Sequence, residues 1–231
     1  MTSGWLILDK PLGLGSTQAV GAVKRNLREA GYGKVKTGHG GTLDPLASGV
    51  LPIALGEATK LAGRMLESDK VYEFTVAFGA ETDTLDLEGK VVAQSDHRPT
   101  WGQVEAILPR FTGAIEQVPP AYSALMIDGQ RAYDRARAGE AVAMPVRNVS
   151  VYALAIANPS PTAPSEQARK APYPLPAGER QDAVTFRAHV SKGTYIRSLA
   201  RDIARALGTV GHVTHLRRTR AGPFEIGRAH V

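Results

Sequence analysis

The residues best suited to chemistry lie in one stretch, Lys36-Thr-Gly-His39-Gly-Gly-Thr42-Leu-Asp44-Pro45-Leu-Ala-Ser-Gly49. Its four glycines make a loop whose backbone can approach a ligand closely. Pro45 biases Asp44 toward extended backbone. A short carboxylate on such a loop either points into a cleft, as a catalytic group would, or caps a turn or helix. The loop is not built for nucleotide phosphates. It lacks Gly-Lys-Ser/Thr, and Leu43 stands where a dinucleotide fingerprint needs its third glycine. Gly13 and Gly15 fail the same test at Gln18.

Other constellations are weaker. His212 and His215 stand at i and i+3 without an HExxH signature, and no thiol can complete a zinc site. Asp83 and Asp86 do not have calcium-loop spacing, and a turn with a solvent-exposed Asp83 fits that stretch better. No Gly-x-Ser-x-Gly elbow marks a serine nucleophile. Lys70-Val-Tyr72, Tyr133-Asp-Arg135 and Tyr195-Ile-Arg197 each place an aromatic near a cation. Such pairs either stack a base and hold a phosphate or serve packing. In the packing alternative Tyr72 is a core tyrosine, and Tyr195 and Arg197 are a packed helix start with a solvated guanidinium.

The elements that would position these groups alternate between strand and helix. Trp5 to Leu8 reads as a strand. Ser16 or Thr17 is placed to cap a helix with Val20, Val23 and Leu27 on one face and Lys24, Arg25 and Arg28 on another. In VYEFTVAF, residues 71–78, Tyr72, Phe74, Val76 and Phe78 share a strand face. Thr100 and Gln103 form a capping box before Val104, Ile107 and Leu108. Residues 149–157 and 184–190 read as strands. A last helix follows Gly193 with Ile196, Leu199, Ile203 and Leu207 as its buried stripe, ended by Gly208. Its arginines, Arg197, Arg201 and Arg205, recur every four residues. Residues 118–147 read as irregular. Six of the fifteen prolines fall in 158–182, an expected exposed loop insert. The class is α/β (α+β) with a mixed sheet.

The 231 residues are 43% hydrophobic and 22% charged, a globular composition. The absence of cysteine excludes disulfides, thiolate catalysis and iron–sulfur clusters. The N-terminus lacks a signal peptide's basic start and apolar run, and no apolar stretch approaches the ~20 residues of a membrane helix. A cytoplasmic protein with no membrane association is expected. The net charge of +6 suits a polyanionic partner or plain solubility.

In order along the chain, the motifs are Gly4-Trp-Leu-Ile-Leu-Asp9-Lys10-Pro11, Gly38 through Gly49, Leu55-Gly-Glu-Ala-Thr-Lys60, Ser68-Asp-Lys-Val-Tyr72, Thr82-Asp83-Thr84 within Gly79 to Gly89, Pro119-Pro120-Ala-Tyr122-Ser-Ala-Leu125, Ser191-Lys-Gly-Thr-Tyr195-Ile-Arg197 and Leu216-Arg-Arg218. Together they resemble the TruB family of tRNA pseudouridine synthases over roughly 4–157 and 183–224. The resemblance implies a pseudouridine synthase fold, a mixed sheet flanked by helices in two α/β halves with a central active-site cleft. It also implies isomerisation of a uridine in the TΨC loop of tRNA, at tRNA position 55, without cofactor or metal.

The family's nucleophile maps onto Asp44 and its cationic partner onto Arg197. The base-stacking tyrosine, a candidate for removing the C5 proton, maps onto Tyr72. Tyr195 matches a second active-site tyrosine, Leu216 an apolar wall, and His39 the histidine that fills the space left when the uridine flips out. Substrate contacts are further assigned to Lys10, Arg131, Arg135 and Arg201. Whether Asp44 attacks the base or the ribose carbon does not follow from sequence. Residues 1–231 are expected to form a single catalytic domain with an RNA-contacting, thumb-like insertion at 118–147. Gly40 stands where the family often has threonine, and the family's usual C-terminal RNA-binding domain is expected to be absent. The tRNA stem-loop is the expected partner; no protein partner is implied, and a monomer is expected. The rival readings are a tRNA-binding chaperone, a synthase acting on another RNA, and a glycoside hydrolase, which normally needs a second carboxylate.

Overall fold

The computed structural model describes residues 2–157 and 180–227. Most of the proline-rich 158–182 stretch, from 158 to 179, therefore lies outside the described residues. In chain order the elements are β1 (Gly4–Lys10), α1 (Ser16–Glu29), β2 (Thr37–His39), β3 (Ala47–Leu55), α2 (Ala62–Glu67), β4 (Lys70–Phe78), β5 (Ala80–Thr82), β6 (Val91–Gln94), α3 (Trp101–Ile107), β7 (Gly113–Gln117), β8 (Met126–Ile127), β9 (Gln130–Arg131), α4 (Ala132–Arg137), β10 (Arg147–Ile156), β11 (Ala183–Val190), α5 (Ile196–Ala206), β12 (Gly211–Ala221) and β13 (Phe224–Glu225). The strand order is β1-β3-β12-β4-β11-β10-β7, with β2 on β3 and β13 on β12. β3 runs antiparallel to β1 and parallel to β12, so the sheet is mixed as the sequence implied. No helix of the described residues is long and apolar enough to cross a membrane.

The chain divides into two compact units. Among the described residues the first comprises 2–73, 189–192 and 215–227. Here β3 reads as a nearly continuous apolar run because its residues Ala47 to Ala54 are all buried. Gly49 (φ +101°) is obligatory where β12 crosses it: a Cβ there would sit 2.2 Å from the Arg218 carbonyl oxygen. α1 packs Ala19 and Val20 inward. The expected cap at Ser16 is not made. Gly15 is the N-cap, and its amide donates to Gln18 Oε1 at 2.9 Å. Gly40 has no room for a side chain, since a Cβ would meet Met65 Cβ at 2.7 Å.

Among the described residues the second unit comprises 74–157, 180–188 and 193–214. Phe74, Val76 and Phe78 are buried on one face of β4, and Phe74 stacks on Phe186 at 5.4 Å. The alternation read from sequence is therefore real. The α3 capping box forms: Thr100 Oγ1 accepts from the Gln103 amide and Gln103 Oε1 accepts from the Thr100 amide. α5 buries Ile196, Leu199 and Ile203, and Gly208 (φ +73°) follows its end. Residues 118–147, expected to be irregular, contain a hairpin, β8–β9, and helix α4. Asp128 (φ +51°) and Gly129 (φ +82°) make its two-residue turn, the Asp-Gly pair that a tight hairpin favours.

Candidate active site

In the first unit the functional candidates gather around the 41–45 loop. Leu43 is buried in an apolar cluster with Ala19, Ala47, Leu51 and Ile53, and Tyr72 and Leu216 pack against that cluster. Half-buried Asp44 follows Leu43 directly. The stacking tyrosine and the apolar wall expected from sequence thus lie on the core that seats the carboxylate-bearing loop.

The backbone of that loop is fixed from three sides. Ser16 Oγ donates to the Leu43 carbonyl at 2.9 Å and accepts from the Leu43 amide at 2.8 Å. Lys10 Nζ donates to the carbonyls of Pro11, Leu14 and Pro45 at 3.0, 2.7 and 3.4 Å. Arg218, 1% exposed, donates from Nε to Val50 O (2.7 Å), from Nη2 to Gly41 O (3.1 Å) and from Nη1 to Thr42 O (3.4 Å). Buried carbonyls so satisfied give a loop that cannot relax cheaply. Lys10 is fully buried. The substrate-contact expectation for it is therefore revised: its ammonium is enclosed by carbonyls and holds two loops together.

These cations set local protonation. Burial lowers the Lys10 pKa, Asp44 opposes that shift, and Arg218 reinforces it. Burial and the Arg218 charge also push the His39 pKa below the ordinary imidazole value. His39 is thereby held neutral at pH 7. Its Nδ1 is buried without a hydrogen-bond partner among the described residues, a polar atom left for a ligand.

In the second unit Arg197 is the centre. It is 7% exposed, so the solvated guanidinium of the packing alternative is not what forms. Its Nη1 donates to Thr84 O at 2.8 Å and its Nη2 to Tyr122 O at 3.0 Å. Asp86 Oδ2 lies 3.4 Å from Nη1. The other Asp86 oxygen accepts from Thr84 Oγ1 at 2.6 Å and from the Glu88 amide at 3.0 Å. Between them Leu85 has φ +64°, a conformation that costs a non-glycine residue energy and is found at functional sites. Asp83 serves a turn, as expected, its Oδ1 accepting from the Lys90 amide, but it is half-buried rather than solvent-exposed.

The start of α5 also holds the beginning of the 118–147 segment. The Tyr195 amide donates to Gln117 Oε1 at 2.7 Å, Ser198 Oγ to Val118 O at 2.8 Å, and Arg201 Nη2 to Val118 O at 3.0 Å. Arg201 also pairs with Asp202. Further along, Arg135 is engaged by Glu140 at 2.7 Å and Asp128 at 3.6 Å. Arg131 is exposed. Arg137 lies over the Tyr133 ring, and Tyr133 meets Tyr122 edge-on. Of the arginines assigned to substrate, Arg135 and Arg201 already have protein partners. Sequence reasoning missed Asp86 and the central place of Arg218. The Thr-x-Asp spacing of Thr84 and Asp86 was the available signal for the first.

Comparison with known proteins identifies the family. Residues 28–196 match the family model described as TruB family pseudouridylate synthase (N terminal domain), and residues 197–231 match tRNA pseudouridylate synthase B C-terminal domain. The chain is 64% identical over 229 residues to a protein named tRNA pseudouridine synthase B from Novosphingobium aromaticivorans, covering 99% of this chain and 70% of that relative. It is 60% identical to its namesake from Zymomonas mobilis, covering 96% of this chain and 66% of the relative. Among solved structures, a chain of a Cbf5-Nop10-Gar1 complex superposes with TM-score 0.66 at 31% identity, covering 96% of this chain and 50% of that one. The chain therefore spans about two thirds of those relatives' length and half of the structural neighbour's.

Proposed function

The chain belongs to the TruB family of pseudouridylate synthases, and we propose that it converts uridine to pseudouridine in tRNA, at position 55 of the TΨC loop. The observation that carries the reading is Asp44 itself: a half-buried carboxylate on a loop pinned through Leu43 by Ser16, through Pro45 by Lys10, and through Gly41 and Thr42 by Arg218. Rigid seating of one carboxylate is what a nucleophile needs and what a solvated turn does not.

The net reaction breaks the N1–C1′ bond and forms C5–C1′. The C5 proton leaves and N1 gains a hydrogen. Asp44 is assigned the nucleophilic step. Arg197 is assigned as its cationic partner. Tyr72 stacks on the base and takes the C5 proton, with Tyr195 as the second aromatic of the site. Leu216 walls the base. The uridine must leave its stack to react, which costs a few kcal/mol. Neutral His39 fills the space it vacates at no cost in charge desolvation. The hairpin and helix of 118–147 are the RNA-contacting segment, with Arg131 exposed to meet phosphate.

The test is tritium release from tRNA labelled at uridine C5, with wild type and Asp44→Ala side by side. Release by wild type alone, mapped to the TΨC loop, supports both the activity and the nucleophile. No release from either, with tRNA still bound on a filter, replaces the synthase with a tRNA-binding module.

A further inference from the structure

α1 exposes Thr17, Gly21, Lys24, Arg25 and Arg28, which stand at i, i+4, i+7, i+8 and i+11 and so form one stripe. The opposite side is spent on the core, where Ala19 and Val20 are buried. Lys24, Arg25 and Arg28 make no ion pair or side-chain hydrogen bond among the described residues. Several other cations are paired, Arg205 with Glu81, Arg217 with Asp9 and Lys192 with Glu67. Lys24 and Arg28 are like charges one turn apart, which costs a helix a few tenths of a kcal/mol. Exposed Glu29 ends the same helix one turn from Arg25, and among the described residues it forms no ion pair with these cations. The charge continues past the end of α1 through exposed Lys34 and Lys36, with Tyr32 59% exposed between, and leads into β2 and His39.

We propose that this face of α1 is an RNA-docking surface that holds phosphates of the RNA flanking the target uridine, an inference that rests on the tRNA-modifying reading above. The geometry fixes its reach. Ser16, at the start of α1, is bonded to Leu43, the neighbour of Asp44. Lys24 to Arg28 follow eight to twelve residues later, which at 1.5 Å per residue is ~12–18 Å along the helix. That distance exceeds the size of the reacting nucleotide, so the phosphates bound there belong to neighbouring RNA. A polyanionic backbone also supplies the negative charge that the stripe lacks.

The experiment combines Lys24→Ala, Arg25→Ala and Arg28→Ala in the full chain. It measures tRNA affinity on filters from 50 to 200 mM KCl and the single-turnover rate at saturating enzyme. Affinity at the middle of that range should fall about tenfold or more. The slope of log K against log salt should lessen by about 2–3 for three lost phosphate contacts. The saturated rate and the melting temperature should not change. Exchanging the same residues for the other basic type, Lys24→Arg, Arg25→Lys and Arg28→Lys, should restore affinity and slope. Unchanged affinity and slope, with wild type still forming pseudouridine, overturns the docking surface and leaves the active-site reading standing. Loss of binding to phosphatidylserine vesicles without loss of tRNA binding overturns it in favour of a membrane face. Absence of pseudouridine from wild type is a failure of the earlier reading, separate from the salt dependence measured here.

Discussion

Ser16 and Leu43 exchange two hydrogen bonds, the hydroxyl donating to the carbonyl at 2.9 Å and accepting from the amide at 2.8 Å. One side chain at the start of α1 thus satisfies both backbone groups of the residue before Asp44. Ser16→Ala leaves a buried donor and a buried acceptor without partners, at about 1–3 kcal/mol each before relaxation. The expected result is a lower melting temperature and at least a tenfold slower single turnover. tRNA affinity should stay within threefold of wild type. A normal rate in this variant would show that the loop does not depend on the pair.

Arg218 makes a similar argument from charge. Its three carbonyl acceptors are each met by a different guanidinium nitrogen, Nε, Nη1 and Nη2, a fixed fork that an ammonium does not reproduce. Arg218→Lys should therefore destabilise the protein by about 2–3 kcal/mol in urea unfolding. Arg218→Gln removes the cation as well. Because that cation depresses the His39 pKa, the imidazole of this variant should titrate higher than in wild type. NMR titration of the His39 ring reads the shift. An unmoved His39 would separate its protonation from Arg218.

The fold was legible where periodicity and composition act locally. The alternation of Phe74, Val76 and Phe78, the Thr100–Gln103 box and the apolar stripe of α5 each need only neighbouring residues. The Asp44 loop was legible because glycine and proline restrict backbone in known ways. Ser16 was not, because a serine at a helix start reads as a cap until a distant backbone, Leu43, takes its hydroxyl. Arg218 and Lys10 look like surface cations in any sequence, since burial with carbonyl partners depends on strands far apart in the chain. Arg197 stood out beside Tyr195 and by resemblance, but its partners Thr84, Asp86 and Tyr122 are distant in the chain. The hairpin at 126–131 was obscured by the prolines that flank it, although Asp128-Gly129 announced it.

Asp86 and Arg197 form a pair whose side chains are only 10% and 8% exposed. Asp86→Asn keeps an oxygen for Thr84 and the Glu88 amide but removes the charge that faces the guanidinium. Removing one member of a buried ion pair is expensive, here ~3 kcal/mol, and Arg197 gains freedom to turn. The single-turnover rate should drop at least tenfold with tRNA affinity nearly unchanged. Thr84→Val, which removes only the hydroxyl that orients Asp86, should show the same pattern more weakly. If both variants lost affinity and kept their rate, the pair would belong to RNA binding and not to the chemistry.

Lys70 gives a pH signature. It is 6% exposed, and its ammonium donates to the carbonyls of Met65, Leu66 and Ser68. Burial, then Arg218 and Lys192 against the opposing pull of Asp69, brings its pKa from 10.5 down to about 8. A lysine whose folded pKa lies below its unfolded value penalises the native state wherever both states are protonated. That penalty is complete below pH 8. Between about pH 8 and 10.5 the unfolded chain holds the proton and the native protein does not, so native stability rises with pH across this window. The full span is about 3 kcal/mol. Lys70→Met removes the titration. The stability difference between wild type and variant, measured by urea unfolding at pH 7 and pH 10, should therefore shift in favour of wild type at the higher pH. A difference independent of pH would mean that the three carbonyls keep the ammonium charged throughout.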